Sequence, residues 1–543
     1  MRVTRKIRVL LRVAAGIVAM SLVAAPGFLA PGGAGGAGSD TGTPIEHVVV
    51  IFQENVSFDH YFATYPVAAN PPGEPFFVAR EGTPSVNGLG TLINGQPSGV
   101  LLTLNPNALN GANGADAINP FRLDRSQAST CDQGHNYGDE QLAFDQGLMD
   151  AFPAHTGKSC ASTYAWEKGK GLVMGYFDGN TVTALWYYAQ HFAMNDNFYG
   201  TTFGPSTPGL LNLVAGNTYP ATPSAPTPKV VGAGTIIGDL DPAGDVCSTG
   251  TTVRLGGRNI GDLLNENGVT WGSFMGGFDL TLTNADGSTG CNRQSPATPA
   301  NAGPTKDYIP HHAFFQYHVS TANPTHARPN SVLNIGTSFD GGANHQYDLD
   351  DFFDALRARN LPAVSFLKAP AYADGHAGYS DPLLEQAFLV MTLNALMQSE
   401  FWEQTAVIIA YDDSDGWYDH QMSPIVNSSA LANDQLDGPG HCGDGMPIRD
   451  DAGQPIQGRC GYGPRLPLIL VSPFAKRNFV DHTLTDLSSI VRFIEDNWGT
   501  GRIGGGSFDA VAGPLMNMFD FSDRGSDERQ VFLDPATGEP LRP

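Results

Sequence analysis

The sequence predicts an α/β protein with a mainly parallel, doubly wound sheet. Apolar runs of strand character occur at 48–52, 363–367, 406–411 and 466–471. Helical patterns lie among them, at 348–360, 381–399 and 486–498. Strands that alternate with helices imply a mainly parallel sheet wrapped by helices on both faces. In such a sheet, functional side chains gather at the carboxyl ends of the strands.

The composition is that of a large globular protein. The 543 residues are 41% hydrophobic and only 15% charged, which excludes a disordered chain. The 65 Gly and 39 Pro indicate many loops. The region 217–345 is rich in Gly, Thr, Asn and Pro, and we expect a loop-rich insertion that covers the site. We assign residues 44–543 to a single domain that contains this insertion.

The first 30 residues have the pattern of a secretory signal peptide. Arg and Lys residues are followed by an uncharged stretch at 13–25 and by small residues up to 30. The stretch spans about 20 Å as a helix, which is too short for a bilayer core of about 30 Å. We therefore predict a cleaved signal, no stable membrane anchor, and a secreted or periplasmic protein. A Gly-rich flexible spacer follows at 31–43. The pair Arg5-Lys6 resembles a weakened twin-arginine motif, so the export route stays open.

Charge and cysteines narrow the possible partners and compartments. Cleavage would remove five basic and no acidic residues, which shifts the formal net charge from −24 to −29. Such a charge argues against nucleic acid and anionic bilayers as partners. The even count of six cysteines is consistent with disulfides in an exported protein. Pairing of sequence neighbours would join 131 with 160, 247 with 291, and 442 with 460, although other connectivities are open.

Oxygen-bearing side chains follow two of the expected strands. Glu54 and Asn55 come after the first apolar run, and Asp412 and Asp413 end the run at 406–411. Either group alone would more often cap a strand or begin a helix. Together they predict one shared site for a divalent metal cation. Oxygen ligands do not distinguish calcium, manganese, magnesium and iron.

A helix N-terminus supplies a candidate nucleophile. In the stretch GPSTPGLLNL, a hydroxyl followed by Pro208 marks the start of a helix. We expect Thr207 to be the cap and Ser206 to be the nucleophile, which would face the positive end of the helix dipole and free amides. The histidines at 135, 311, 312 and 376 lie in polar loops and are candidate acids or phosphate-binding groups, although a lone loop histidine is usually structural.

These stretches resemble a known family. The segments at 45–62, 191–209, 362–382, 408–420 and 458–498 look like those of the phosphoesterase family that contains bacterial phospholipases C and secreted acid phosphatases, a branch of the alkaline-phosphatase-like superfamily. The resemblance implies an alkaline-phosphatase-like fold and a metal-assisted phosphoester hydrolase. Glu54, Asn55, Asp412 and Asp413 match its metal ligands, Ser206 matches its nucleophile, and a set of histidines matches its phosphate pocket: His135, His312, His376 and the neighbouring His311.

Three departures favour the acid-phosphatase branch. Phospholipases of this family usually have Thr where Ser206 stands, Asp-Glu where Asp412 and Asp413 stand, and Arg where Val56 stands. We therefore expect a phosphomonoesterase that forms a phosphoserine intermediate. The alternatives are a phospholipase C acting on phosphatidylcholine-type lipids and, in another class, a catalytically inert envelope or surface binding protein. An aromatic rim for a choline-like cation could come from Trp271, Phe274, Phe278, Tyr317 and Trp417, which could equally be core residues.

Overall fold

The computed structural model describes residues 41–164, 166–297, 304–522 and 530–541. A central sheet of eight strands organises this part of the chain. In chain order, these strands are β1 (His47–Gln53), β2 (Ala193–Asn195), β3 (Trp271–Met275), β4 (Gln346–Asp348), β5 (Val364–Lys368), β6 (Thr405–Tyr411), β7 (Leu468–Val471) and β8 (Phe479–Asp481).

The spatial order of the strands is β4-β3-β5-β1-β6-β7-β2-β8. Five of the seven pairings are parallel, and only β7 runs against its two neighbours. Every residue of β5, β6 and β7 is buried, and so is all of β1 after His47. Because successive side chains of a strand point to opposite faces, both faces of the sheet must be covered. The prediction of an α/β fold with a mainly parallel sheet is confirmed.

Eleven α-helices lie in the described residues. They are α1 (Phe58–Phe62), α2 (Val100–Thr103), α3 (Pro106–Leu109), α4 (Tyr137–Phe144), α5 (Phe152–His155), α6 (Thr183–His191), α7 (Ser206–Ala215), α8 (Ile260–Glu266), α9 (Leu349–Arg357), α10 (Pro382–Met397) and α11 (Leu487–Trp498). The three helical patterns of the sequence are α9, α10 and α11. Each begins after an Asp that accepts backbone N–H groups of the first turn, namely Asp348, Asp381 and Asp486.

Short elements fill the remaining described chain. The short strands are Thr91–Ile93, Gln96–Ser98, Phe121–Arg122, Gly175–Tyr176, Phe198–Tyr199, Ala221–Pro223, Val230–Val231, Thr235–Ile236, Asp241–Pro242, Thr252–Leu255, Gln294–Ser295, Thr305–Lys306 and Thr485–Asp486. The 3-10 helices are Gly111–Asp116, Arg125–Gln127, Asp145–Gly147, Gly169–Met174, Gly290–Asn292, Pro310–His312, Phe314–Tyr317, Val332–Asn334, Ala371–Ala373, Trp402–Gln404, Phe508–Ala510 and Met516–Met518.

The loop-rich region 217–345 also contributes to the central sheet. It holds β3, which pairs with β4 and β5, and it holds α8. The short strands and 3-10 helices of this region agree with its Gly and Pro content. The expected signal peptide at 1–30 lies outside the described residues, as does the spacer up to residue 40.

The cysteines pair with their sequence neighbours. Disulfides join Cys131 to Cys160, Cys247 to Cys291, and Cys442 to Cys460, which confirms the expected connectivity. Within the described ranges, no helix has both the length and the apolar character that crossing a membrane requires.

Candidate active site

The adjacent strands β1 and β6 carry the four expected metal ligands to one edge of the sheet. Their parallel register sets Gln53 opposite Tyr411, so Glu54 and Asp412 leave the two strands side by side. The backbone N–H of Asn55 donates to Asp412 Oδ1 at 3.0 Å. Asn55 has a φ of 59°, a left-handed conformation that asparagine tolerates better than most residues. All four side chains are buried.

Ser206 lies directly against this group of oxygens. Its Oγ is 3.1 Å from Glu54 Oε2, 3.3 Å from Asp413 Oδ2 and 3.4 Å from the Asn55 side chain. Gly209, one turn further along α7, makes this approach feasible, because a Cβ there would lie only 2.2 Å from the carbonyl oxygen of Asp412. The structure thus brings together the expected nucleophile and all four expected ligands.

The expectation that Thr207 caps the helix is wrong. Helix α7 begins at Ser206 and its N-cap is Pro205, and no side chain in the described part of the chain caps it. The Thr207 hydroxyl instead accepts a long hydrogen bond from the N–H of Leu240 at 3.4 Å. The helix starts two residues before Pro208 because proline is tolerated throughout the first turn, where its missing N–H leaves no bond unmade. Ser206 therefore lies within the first turn.

The arrangement of oxygens fits a hard divalent cation. With its side-chain oxygen inward, Asn55 faces Glu54 Oε2 at 2.8 Å and Asp412 Oδ1 at 3.2 Å, a grouping of acceptors that a bound cation would stabilise. In the opposite orientation its nitrogen donates to both carboxylates, and its oxygen accepts from His376 Nε2 at 3.0 Å. Asp412 Oδ2 is buried with no hydrogen-bond partner among the described residues. Burial and the charge of Asp412 raise the pKa of Glu54 and of Asp413 well above the usual range.

All four expected histidines line one pocket together with Ser206. The pocket has a volume of about 500 Å³. Its lining residues are Asp132, His135, Asn136, Lys158, Pro205, Ser206, Asp239, Ile309, His311, His312, His376, Ala377, Gly378 and Tyr379. Most of these residues are polar, and the disulfide between Cys131 and Cys160 joins the two segments that carry Asp132 and Lys158.

His135 and His376 differ in their surroundings. His135 Nδ1 lies 3.0 Å from Asp415 Oδ1. Burial opposes its protonation, but the charges of Asp413 and Asp415 outweigh burial and raise the pKa of His135 well above its ordinary value. His376 stacks on Tyr379 with a centroid distance of 4.3 Å, and burial lowers its pKa to about 4. His135 is therefore the more readily protonated of the two.

The neighbouring histidines 311 and 312 also occupy different environments. His312 is buried, with Nδ1 at 3.3 Å from Glu54 Oε1, and burial lowers its pKa well below the usual value. The His311 side chain is 30% exposed, with Nδ1 at 3.6 Å from Asp241 Oδ1. His312 thus faces the acids, whereas His311 lies at the rim of the pocket.

Sequence reasoning missed several charged residues around the site. Lys368, the last residue of β5, is fully buried and ion-paired with Glu54 Oε1. Glu140 of α4 is buried and accepts hydrogen bonds from Gly204 N–H and Ser414 Oγ. Asp415 lies against His135. In the sequence, only their positions could have marked these residues as part of the site: Lys368 ends an apolar run, and Asp415 lies two residues after Asp413.

A second buried network fixes the chain just beyond the expected metal ligands. The Arg465 guanidinium contacts the carboxylates of Asp59 and Asp419 at 3.1 Å each and lies over the ring of Phe58. His420 Nδ1 is 2.6 Å from Asp59 Oδ2. Asp59 follows the expected ligands after β1 and Asp419 follows those after β6, so this network ties the two segments together.

The aromatic residues considered for a choline-binding rim belong to the core. Trp271, Phe274 and Tyr317 are fully buried, and Phe278 and Trp417 are 1% exposed. None of these five lines the pocket of Ser206. Of the two interpretations, the structure supports core residues, because the aromatic rings pack inside the fold: Trp271 against Phe315, Phe274 against Tyr347, and Trp417 against His60.

Comparisons with known proteins point to one family. The model of the phosphoesterase family matches residues 45–501. The non-hemolytic phospholipase C of Pseudomonas aeruginosa is 26% identical over 495 residues, which are 88% of this chain and 58% of that protein. Phospholipase C A of Mycobacterium tuberculosis is 23% identical over 512 residues, which are 91% of this chain and 81% of that protein.

This chain therefore spans little more than half the length of the Pseudomonas relative. The crystal structure of a Vibrio parahaemolyticus protein in the alkaline phosphatase superfamily is also similar, with 12% identity and a TM-score of 0.28. That match covers 64% of this chain and 65% of the other.

Proposed function

Because the chain belongs to the phosphoesterase family, we propose that it hydrolyses phosphate monoesters in the pocket of Ser206. The observation that carries this proposal is the contact of Ser206 Oγ with Glu54 Oε2 at 3.1 Å and Asp413 Oδ2 at 3.3 Å. A hydroxyl at a helix N-terminus, held against buried acidic oxygens, suits metal-assisted attack on phosphorus.

In this proposal, Glu54, Asn55, Asp412 and Asp413 hold a divalent cation, with Ser206 as a further oxygen ligand. A cation bound there supplies positive charge that stabilises the serine alkoxide and neutralises phosphoryl oxygens. The all-oxygen donor set fits calcium, magnesium, manganese or iron.

Side chains of the pocket have separate parts in the reaction. Ser206 passes its hydroxyl proton to the Asp413 carboxylate, whose Oδ2 lies 3.3 Å from Oγ and which returns the proton when the serine is released. Ser206 Oγ attacks phosphorus in line and forms a phosphoserine, while the bond to the leaving oxygen breaks. With Nδ1 held by Asp415, His135 has Nε2 left to protonate that oxygen, and it then takes a proton from the water that releases phosphate. His312 and His376, whose pKa values burial lowers, are neutral and suited to hydrogen-bonding the phosphoryl oxygens.

The lining of the pocket supports a small polar phosphoester as the substrate. Its charged groups include Asp132, Asp239 and Lys158, and apart from histidines the only aromatic ring among its described lining residues is Tyr379. A quaternary ammonium is usually bound by several aromatic rings, which this lining does not supply. Phospholipase C activity is the second candidate, favoured by the names of the relatives from Pseudomonas and Mycobacterium.

The deciding experiment supplies the metal-loaded protein with an aryl phosphate and, separately, with phosphatidylcholine. Inorganic phosphate from the aryl ester, with the lipid intact, would support the phosphatase. Phosphocholine and diacylglycerol would establish a phospholipase C. No product from either substrate at acid or neutral pH would favour the inert binding protein.

The nucleophile is tested with a matched pair of variants. We expect Ser206→Ala to lower kcat by at least about a thousandfold, because the covalent step is lost. Thr207→Val removes the neighbouring hydroxyl, which does not face the acids, and should retain most of the activity. Acid-quenched protein should carry a phosphoryl group on the peptide that contains Ser206. Substantial turnover by a folded Ser206→Ala protein would disprove the assignment.

We also propose that the protein works outside the cytoplasm. The signal-like segment at 1–30 supports export. The three disulfides support an oxidising compartment, because such bonds persist mainly in exported proteins. Cell fractionation that finds the unprocessed chain in the cytoplasm would contradict this proposal.

A further inference from the structure

The two carboxylate oxygens of Glu54 face different groups. Oε2 contacts Ser206 Oγ at 3.1 Å and lies in the oxygen cluster proposed to hold the metal. Oε1 faces away from that cluster, toward the ammonium of Lys368 and toward His312 Nδ1, which is 3.3 Å away. Glu54 therefore separates two positions that each suit a cation.

The second position has the residues of a metal site. Ligand atoms of Glu54, His312 and Asp374 all lie within 4.8 Å of one another, and the three residues are buried. His312 Nδ1 is 3.9 Å from Asp374 Oδ2. Two carboxylates and an imidazole are a common ligand set for divalent metals. In this protein, however, the Lys368 ammonium already contacts the Glu54 oxygen that such a metal would use.

The sheet positions Lys368 against Glu54. It ends β5, next to β1, and among the described lysines it alone is buried. The ammonium also fixes the Glu54 carboxylate, so that Oε2 remains directed at Ser206.

We infer that Lys368 is a built-in cation that occupies the second cation position and restricts the site to one metal ion. The inference rests on the proposed metal site. It gives Lys368 a positioning role, because the ammonium acts on the nucleophile only through Glu54. A neutral side chain at position 368 would leave Glu54 Oε1, Asp374 and His312 without their resident positive charge, and a second divalent ion would then bind there.

The test counts bound Mn²⁺ on the full chain and needs no phosphoester substrate. Metal-free protein is loaded with MnCl₂, freed of excess ion by gel filtration, and assayed for manganese per chain. We expect about one ion in the unchanged protein and about two in Lys368→Met, whose paramagnetic resonance spectrum should show a spin-coupled pair. The double variant Lys368→Met with Asp374→Asn should return to about one ion, because it lacks a ligand of the second position.

Each other outcome would overturn the inference. Two ions in the unchanged protein would mean that Lys368 does not exclude the second metal, and one ion in folded Lys368→Met would mean that the cluster does not bind one. If Lys368→Met fails to fold, the spectrum of the unchanged protein still decides, since a coupled pair contradicts the inference and an isolated Mn²⁺ signal supports it. If the unchanged protein binds no Mn²⁺, the proposed metal site is also overturned. If Lys368→Met binds one ion and is an active phosphatase, only the role of Lys368 is overturned.

Discussion

The carboxylate of Glu140 accepts a hydrogen bond from the backbone N–H of Gly204 at 2.9 Å. Its other oxygen accepts a hydrogen bond from Ser414 Oγ at 2.8 Å. One buried side chain of α4 therefore connects the loop before Ser206 with the loop after Asp413. Burial raises the pKa of Glu140 to about 8, so in neutral solution the group is largely protonated and holds the two loops without adding a full negative charge.

Two variants of Glu140 should show whether the shape of its side chain or its charge holds the two loops. Glu140→Ala leaves the Gly204 N–H and the Ser414 hydroxyl unpaired, and we expect the free energy of unfolding to fall by about 2–4 kcal/mol and kcat to fall with it. Glu140→Gln keeps the shape, since its amide can accept from Gly204 and donate to Ser414, and should remain close to the parent protein. Urea unfolding and aryl phosphate kinetics measure both effects. Equal behaviour of the Ala and Gln variants would show that Glu140 does not position the loops.

The strands that could be predicted from the sequence are those whose residues are uniformly apolar. The strands that include 406–411 and 48–52 are uninterrupted apolar runs, and their ends are marked by acids and an asparagine. Because parallel strands end at one edge of a sheet, the sequence already predicted that these side chains meet, and the observed register places Glu54 beside Asp412. The strand at Trp271–Met275 was missed because its sequence WGSFM includes glycine and serine and lies in a loop-rich region.

The missed residues of the site depend on contacts between distant parts of the chain. A lysine after an apolar run predicts an exposed strand end, and only the pairing of β5 with β1 shows that Lys368 is buried against Glu54. Similarly, Glu140 lies on a helix with no unusual pattern, and its partners are 64 and 274 residues away. Thr207 was misjudged because a hydroxyl before proline fits a helix that starts at the proline and also one that starts two residues earlier.

Metal binding should be strongly dependent on pH. Burial and the charge of Asp412 raise the pKa values of Glu54 and Asp413 well above the usual range in the metal-free protein. A cation must then displace protons, so its affinity should fall by about tenfold per pH unit for each proton displaced as the pH drops below those pKa values. Calorimetric titration with Mn²⁺ at pH 5 to 8, in buffers of different ionisation enthalpy, counts the released protons. A dissociation constant that does not change with pH would contradict the expectation.

Removal of the metal should abolish phosphoester hydrolysis reversibly. Dialysis against a chelator is expected to reduce kcat to near background, because the charge that stabilises the Ser206 alkoxide is lost. Activity should return when a divalent salt is added to the same sample. Unfolding midpoints before and after dialysis serve as the control for loss of structure. Full activity in protein shown to be metal-free would exclude a metal-assisted mechanism.

Glu385 should make the folded state less stable at alkaline pH. It is fully buried in α10, it accepts hydrogen bonds from the hydroxyls of Tyr61 and Tyr411, and burial raises its pKa to about 8. Between pH 4.5, its ordinary pKa, and about 8, the folded protein keeps a proton that the unfolded chain has lost. The contribution to stability is therefore complete below pH 4.5 and is lost as the pH rises through this window.

The variant Glu385→Gln cannot ionise and should lack this pH dependence. The difference in free energy of unfolding between the variant and the parent should shift in favour of the variant by about 2–4 kcal/mol when the pH is raised from 5 to 8. The exposed Glu403→Gln serves as the matched control and should follow the parent at both pH values. Denaturant unfolding at saturating metal measures the difference. Parallel pH profiles of the parent and Glu385→Gln would show that Glu385 ionises normally in the fold.

The leaving group should reveal whether His135 is the general acid. Its Nδ1 lies 3.0 Å from Asp415 Oδ1, which favours a protonated ring with Nε2 available to the substrate. An alkyl phosphate leaves as a strongly basic alkoxide and needs that proton, whereas a nitrophenolate leaves without it. We expect His135→Gln to lower kcat/KM by about 100-fold or more for glycerol phosphate and by much less for nitrophenyl phosphate. The partly exposed His311→Gln is the control for general damage to the pocket and should affect both substrates alike. Equal losses for the two substrates in His135→Gln would assign His135 to phosphate binding, and the same comparison applied to His376→Gln would then identify the acid.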